Sequence, residues 1–315
     1  MSLRPKWQNF RERDWEQIKA SWIAHVPIFP SIGSLPDPGL ERLEHLRSID
    51  LPDNHGRFQD VEGLRTNALS EAVFLFHKCA HTSLATQRIG QSGMHSWSLF
   101  NAYHSAYLGA RGILALLGVA MPKINGNQVA IDLFPGPPAT QKSPMVRKEK
   151  KGTQPRLVTS IEVAEFLIVR LQMLEQRYLW EAFQRILTIT RCKCWDAGQR
   201  QNLIDLSYEA ITPPRNSYLY KAHFWPLSDL IVDASVSDFD NLLGTELDVN
   251  AEGFLLRLCF TVYYLFDQLM RNLAEDSGVV KQQLDASRVF SSATLPVLSS
   301  YTNFEAQISA TGATE

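Results

Sequence analysis

The stretch from Trp97 to Met121 decides the predicted fold, and it reads WSLFNAYHSAYLGARGILALLGVAM. Small residues recur along it at helical spacing and leave one side nearly smooth: Ala102, Ala106, Gly109 and Ala110. A smooth side lets a second helix approach closely, and such packing offsets the cost of about 1 kcal/mol that a glycine carries inside a helix. Gly118 and Pro122 then form a typical helix stop. The sequence therefore predicts a buried central helix.

Polar residues are few on this helix, and three of them share one stripe: Asn101, His104 and Arg111. Side chains at such helical spacings lie on the same face. We expect the stripe to face something specific, with His104 and Arg111 as supporting polar residues of a site.

The flanking segments also show mostly helical periodicity. Apolar residues from 63 to 88 predict a helix that pairs in antiparallel fashion with the central one. A capping box at Thr159–Glu162 predicts a long helix that continues to about residue 190. Asn125 and Gly126, followed by a short apolar run, allow a small hairpin. The sequence predicts an all-α fold, an antiparallel helical bundle with a small loop or hairpin insertion.

Changes in composition divide the chain into three expected parts. Residues 1–60 form an N-terminal helical extension with a proline-rich connector. Residues 61–290 form the bundle core, with the insertion at about 122–158, and residues 291–315 form a flexible tail.

Composition excludes several classes of protein. The net charge of −2 over 315 residues gives no global basic footprint for nucleic acid. The chain has neither an apolar signal region nor a run long enough to span a membrane, so we expect a cytoplasmic protein with no membrane partner. The sequence motifs of P-loop, dinucleotide-binding and simple hydrolase sites are missing, and we expect no cofactor.

Histidines and cysteines offer weak metal-site patterns. His77 and His81 have the i, i+4 spacing with which two imidazoles can share a metal, but ordinary helix-surface histidines are the favoured interpretation. Cys192 and Cys194 form a C-x-C pair, whereas zinc sites usually use C-x-x-C with a second pair elsewhere. We therefore predict no metal site and interpret the pair as helix-end cysteines without function.

Arg215, Asn216 and His223 are the strongest set of candidate catalytic residues. Arg215 and His223 lie eight residues apart, so on a helix they can face one cleft. When the 2′-hydroxyl of RNA attacks the adjacent phosphate, one group must move protons and a cation must stabilise the phosphorane. Histidine suits the first role and arginine the second, so His223 and Arg215 are the candidates. Spacing alone favours a structural role, in which Arg215 and Asn216 brace a helix start and His223 packs among aromatic residues.

Two segments together resemble the HEPN superfamily. The central helix FNAYHSAYLGARGILALLGV looks like the second core helix of that family, and Pro214-Arg215-Asn216 resembles the start of its Arg-Asn…His motif. The resemblance covers about residues 63–270. It implies a helical bundle, frequently dimeric, with metal-independent ribonuclease activity in toxin, stress or antiviral-defence settings.

On that resemblance, Arg215 and His223 would be the catalytic pair and Asn216 would orient them, with RNA as the substrate. The family motif usually has four to six residues between Arg and His, whereas here there are seven, and Tyr220 lies nearer the usual position of the His. The alternative is a catalytically inactive HEPN-like module that acts in dimerisation or as a subunit of a larger complex. Its partner would then be a second copy of this chain, in a homodimer, or another protein.

Overall fold

The computed structural model describes the following part of the chain: residues 7, 10–25, 40, 43–60, 62–92, 94–135, 165–171, 176–206, 211, 251–278, 280–282 and 284. The chain divides into two compact units, residues 1–27 with 36–269 and residues 28–35 with 270–315. Within the second unit, the backbone N–H of Lys281 donates to the carbonyl oxygen of Ser277 at 3.0 Å, which is a helical turn.

The helices of the described residues are α1 (Trp15–His25), α2 (Glu44–Arg47), α3 (Leu64–Gln91), α4 (His95–Leu116), α5 (Gln176–Ile189), α6 (Ala197–Asp205) and α7 (Ala251–Asp276). The strands are β1 (Arg13–Asp14), β2 (His55–Gln59), β3 (Val119–Ala120), β4 (Lys123–Ile124), β5 (Asn127–Asp132), β6 (Glu165–Leu171) and β7 (Thr190–Arg191). Among the described helices, none is long and apolar enough to cross a membrane.

The central helix and its antiparallel partner are present as α4 and α3. Ser98 near the start of α4 donates to the carbonyl oxygen of Thr86 near the end of α3, whereas Arg111 near the end of α4 pairs with Glu71 near the start of α3. The smooth side of α4 also admits α7, because a Cβ added at Gly109 would lie 2.6 Å from Cγ1 of Val262. Close packing of the small residues is therefore confirmed.

The all-α prediction is wrong, because the structure contains a five-stranded antiparallel sheet in the order β2-β6-β5-β3, with β4 also paired to β5. The main error is the long helix predicted for residues 159–190: among the described residues of this range, Glu165–Leu171 is strand β6 and Gln176–Ile189 is helical. Strand β6 lies in the middle of the sheet, and Phe166 to Val169 are all buried. A continuous apolar run of this kind fits a buried strand or a buried helix equally well. The capping box at Thr159–Glu162 lies outside the described residues.

The hairpin at Asn125–Gly126 is observed, and it belongs to the same sheet. Asn125 has a φ of 48° and Gly126 a φ of 79°, the two positive values that a tight type I′ turn requires. Lys123 pairs with Gln128 across the turn. The segment that the sequence assigned to an insertion thus supplies strands β4 and β5.

The N-terminal segment packs against the rest of this unit. Trp15 and Trp22 are buried, and the indole N–H of Trp22 donates to the carbonyl oxygen of Leu116 at the end of α4 at 2.8 Å. Strand β1 pairs in parallel with β7, placing Arg13 opposite Thr190. A second, two-stranded sheet therefore ties the start of the chain to the end of α5.

Candidate anion-binding groove

A groove of about 610 Å³ lies where α2, the end of α4 and the β3–β4–β5 edge of the sheet meet. We call it the basic groove, because three of its lining residues are cationic: Arg47, Arg111 and Lys123. The other lining residues are neutral, and they are Met121, Pro122, Asn125, Gly126 and Gln128. A concave site with cations and no lining acid favours an anionic ligand.

The hairpin turn fixes one wall of the basic groove. The side-chain amide of Asn125 donates to the carbonyl oxygen of Arg47 at 2.7 Å, so the turn is tied to the end of α2. The side-chain amide of Gln128 donates to the carbonyl oxygen of Met121 at 3.1 Å. These two bonds tie the hairpin to the end of α2 and to Met121, which follows β3.

Arg111 forms the opposite wall and is held by an acid. Its Nε and Nη2 both donate to Oε1 of Glu71, at 3.1 and 2.6 Å. The side chain of Glu71 is 10% exposed and that of Arg111 is 33% exposed, so the arginine extends from a covered partner towards the groove. Burial raises the pKa of Tyr107, one turn earlier, and the charge of Arg111 opposes that rise. Tyr107 therefore stays neutral beside Arg111.

Arg47 and Lys123 are exposed, and neither forms an ion pair with a described residue. Nη1 of Arg111 likewise has no hydrogen-bond partner in the described part of the chain. Guanidinium and ammonium groups form strong, charge-assisted hydrogen bonds with phosphate or carboxylate oxygens. The groove can therefore offer donors from three side chains to one anion.

An aromatic stripe on α4 leads towards the groove. It consists of Trp97, Phe100 and His104. On an ideal helix these three residues and Arg111 lie within an arc of about 60° around the helix axis. Ring centroids are 6.0 Å apart for Trp97 and Phe100 and 4.6 Å apart for Phe100 and His104. Trp97 is 56% exposed and His104 is also exposed. The stripe therefore places three aromatic side chains on the side of α4 that also carries Arg111.

The predicted site residues fall into two groups. Arg215, Asn216, Tyr220 and His223 lie outside the described residues, so their position relative to α4 stays a prediction. His104 and Arg111 lie on one side of α4, as their spacing requires, but only Arg111 lines the groove.

The weak metal candidates lie elsewhere on α3. His77 is half-buried with its ring centroid 6.1 Å from that of Phe76, and His81 is exposed. Among the described residues, no group of three or more His, Cys, Asp or Glu side chains is placed to hold a metal ion.

Sequence reasoning missed Arg47, Lys123 and Glu71 as parts of a site. The Asn125–Gly126 pair was a sufficient signal for the turn. Nothing in the local sequence shows that the turn binds the carbonyl group of Arg47, because that contact depends on how α2 packs beside the sheet.

Comparisons of the chain with protein-family models, with curated proteins and with solved structures found no match. The chemistry of the groove and of the α4 stripe is therefore the basis for assigning a function.

Proposed function

We propose that this protein binds single-stranded RNA, with backbone phosphates in the basic groove and bases stacked on the aromatic stripe of α4. The observation that carries the proposal is the convergence of Arg47, Arg111 and Lys123 on a groove lined by no acidic residue. Glu71 holds Arg111 by two of its nitrogen atoms and leaves the remaining donors for a phosphate oxygen.

The aromatic stripe favours a single-stranded nucleic acid over a simple anion. Proteins that bind single strands combine a cationic groove with aromatic side chains on which bases stack. From Trp97 to Arg111 the stripe and groove extend about 21 Å along α4, at 1.5 Å per residue. That length accommodates several nucleotides. An inorganic anion bound in the groove would not contact the exposed Trp97 ring.

Binding of a fluorescent, unstructured RNA oligonucleotide, followed by anisotropy, tests the proposal. We expect Lys123→Ala and Arg47→Ala each to weaken binding about tenfold, as loss of a charged hydrogen bond predicts. Trp97→Ala should weaken it by a similar factor, whereas Trp97→Phe should retain most of the affinity. Lys193→Ala removes an exposed lysine from the turn between β7 and α6, which forms no part of the groove or the stripe, and it should bind like the wild type. Wild-type affinity in all three groove and stripe variants would contradict the proposal.

Competition separates RNA from smaller phosphates. Adenosine monophosphate and inorganic phosphate are titrated against the labelled oligonucleotide and, by calorimetry, against the protein alone. We expect both to compete only weakly, since neither spans the stripe. If the nucleotide binds as tightly as the oligonucleotide and Trp97→Ala leaves its affinity unchanged, the groove is a small-ligand site and the RNA proposal is wrong.

A second candidate function is cleavage of the bound RNA, and the Arg215, Asn216 and His223 set in the sequence favours it. Arg215 would stabilise the charge of the phosphorane, His223 would move the proton and Asn216 would orient them. The test is RNA cleavage by the purified protein in the presence of a chelator, beside Arg215→Ala and His223→Ala. We expect product from the wild type and strongly reduced product from both variants.

The experiments distinguish a failure of the cleavage proposal from a failure of the binding proposal. Equal cleavage by all three proteins, or none by any, would rule out this catalytic pair. Intact RNA binding without cleavage would instead support the inactive, HEPN-like module that the stretched Arg–His spacing suggests.

A further inference from the structure

The C-x-C pair lies in the short turn between β7 and α6, and its two thiols are in contact. Sγ of Cys192 lies 3.1 Å from Sγ of Cys194, and both cysteines are free and half-buried. Lys193 between them is exposed. Solvent can therefore reach a pair of adjacent, reduced sulfur atoms.

The turn is held from both sides. Thr190 in β7 is paired with Arg13 in β1. On the other side, the indole N–H of Trp195 donates to the carbonyl oxygen of Leu265 at 3.2 Å, and the backbone N–H of Asp196 donates to the side chain of Gln268 at 3.1 Å. These contacts keep the two cysteine side chains together.

The environments of the two thiols shift their pKa values in opposite directions. A hydrogen bond from the Cys194 thiol lowers the pKa of Cys192 against the opposing effect of burial, and the backbone N–H groups of Cys194 and Trp195 add to the lowering. The same hydrogen bond, together with burial, raises the pKa of Cys194. Because the backbone N–H groups of Cys194 and Trp195 stabilise a thiolate at Cys192, Cys192 is the better-placed nucleophile and Cys194 is the second thiol beside it.

The other two cysteines provide an internal contrast. Cys79 and Cys259 are both 0% exposed between α3, α4 and α7. Burial raises the pKa of Cys79 to about 12 and that of Cys259 to about 11, against the smaller effect of hydrogen bonds from Ser83 and Ser105. Both thiols are therefore inert in the folded protein.

We propose that Cys192 and Cys194 form a dithiol site that reduces small-molecule disulfides by thiol–disulfide exchange, with Cys192 as the attacking and Cys194 as the resolving residue. This proposal is independent of RNA binding, and it replaces the interpretation of the pair as cysteines without function.

The exchange takes place in two steps. The thiolate of Cys192 attacks one sulfur of the small disulfide, whose S–S bond breaks, and the departing thiolate takes up a proton from water. The thiol of Cys194 then loses its proton to solvent and attacks Sγ of Cys192, which expels the second small thiolate. Two electrons pass from the dithiol to the small disulfide, leaving a Cys192–Cys194 disulfide and two small thiols.

Glutathione disulfide is the probe, and intact-mass and peptide mass spectrometry are the readouts. The folded wild type should lose two hydrogen atoms and retain no glutathione. Cys194→Ser should retain one glutathione on Cys192, because the resolving thiol is missing. Cys192→Ser should react more slowly than Cys194→Ser, because burial still raises the pKa of the remaining Cys194 thiol, whereas the backbone N–H groups of Cys194 and Trp195 still lower the pKa of Cys192 in Cys194→Ser.

Cys259→Ser is the matched control and should form the same disulfide at the wild-type rate. Three outcomes would overturn the proposal: a wild type that keeps a stable glutathione adduct, a wild type that does not react, or equal rates in Cys192→Ser and Cys194→Ser. Circular dichroism of each variant distinguishes a lost thiol from a lost fold.

Discussion

Arg13 and Asp132 form an ion pair that water does not reach. Nη2 of Arg13 lies 2.9 Å from Oδ2 of Asp132, and the two side chains are 3% and 0% exposed. Nη1 of Arg13 also donates to the carbonyl oxygen of Leu117, and the other carboxylate oxygen accepts from the backbone N–H of Phe134. The pair therefore links strand β1, the end of α4 and the end of β5.

Removing one member of this pair leaves a buried charge without its partner. We expect Asp132→Ala to lower the free energy of unfolding by about 3–5 kcal/mol, measured by urea titration. Glu12→Ala provides the comparison, because Glu12 and Arg191 form an ion pair whose side chains are 73% and 77% exposed. That variant should stay within about 1 kcal/mol of the wild type. Equal effects of the two substitutions would show that the buried pair does not stabilise the fold.

Single residues show where sequence inference succeeds and where it ends. Arg111 was predicted to face something specific, because helical spacing places it on a known stripe. Its partner Glu71 and its groove neighbours Arg47 and Lys123 come from other elements. Only the packing of α2, α3 and the hairpin brings these side chains together, so no local pattern reports it.

At the scale of elements, α4 is the helix on which the others pack, and its glycines permit this. A Cβ at Gly109 would lie 2.6 Å from Cγ1 of Val262 and 2.9 Å from Sγ of Cys79. Gly109→Ala gains about 1 kcal/mol of helix propensity, but the overlap with α3 and α7 costs about 1–3 kcal/mol. We expect a net loss of unfolding free energy and a lower thermal midpoint by calorimetry.

A double-mutant cycle identifies the cause of that loss. Val262→Ala removes the methyl groups that a new Cβ would meet, so Gly109→Ala should cost less in its presence. At Gly198, near the start of α6, the nearest atom to an added Cβ is Oδ1 of Asp196 at 3.4 Å, and Gly198→Ala should be neutral or slightly stabilising. Additive effects of Gly109→Ala and Val262→Ala would exclude the overlap with Val262 as the reason.

The elements divide into those that have a sequence signal and those that do not. Helices α3 and α4 are long and strongly patterned, and the turn at Asn125 has a specific residue pair, so these were predictable. Strand β2 reads His-Gly-Arg-Phe-Gln, contains a glycine and buries none of its residues, so its pattern does not predict a strand. Strand β6 lies between β2 and β5 and is apolar at most positions. Its residues were therefore predicted as part of the long helix at 159–190.

At the scale of the whole molecule, charge is distributed unevenly. The chain has a net charge of −2 and an isoelectric point near 6.5, yet the basic groove gathers three cations and no lining acid. Overall repulsion of RNA is therefore weak, and local attraction decides binding. The average composition does not report this site, because net charge says nothing of where the charged residues lie; Glu71 is paired with Arg111 but does not line the groove.

This distribution predicts a modest salt dependence for RNA binding. Contacts from three cations to a single strand give a slope of about −2 in a plot of log affinity against log salt concentration, since each contributes roughly 0.7. Lys123→Ala should reduce the steepness by about 0.7, whereas Lys193→Ala should leave the slope unchanged. Anisotropy titrations at several salt concentrations measure these slopes. A wild-type slope near zero would exclude phosphate contacts in the groove, and an equal slope in Lys123→Ala would place the contacts on another surface.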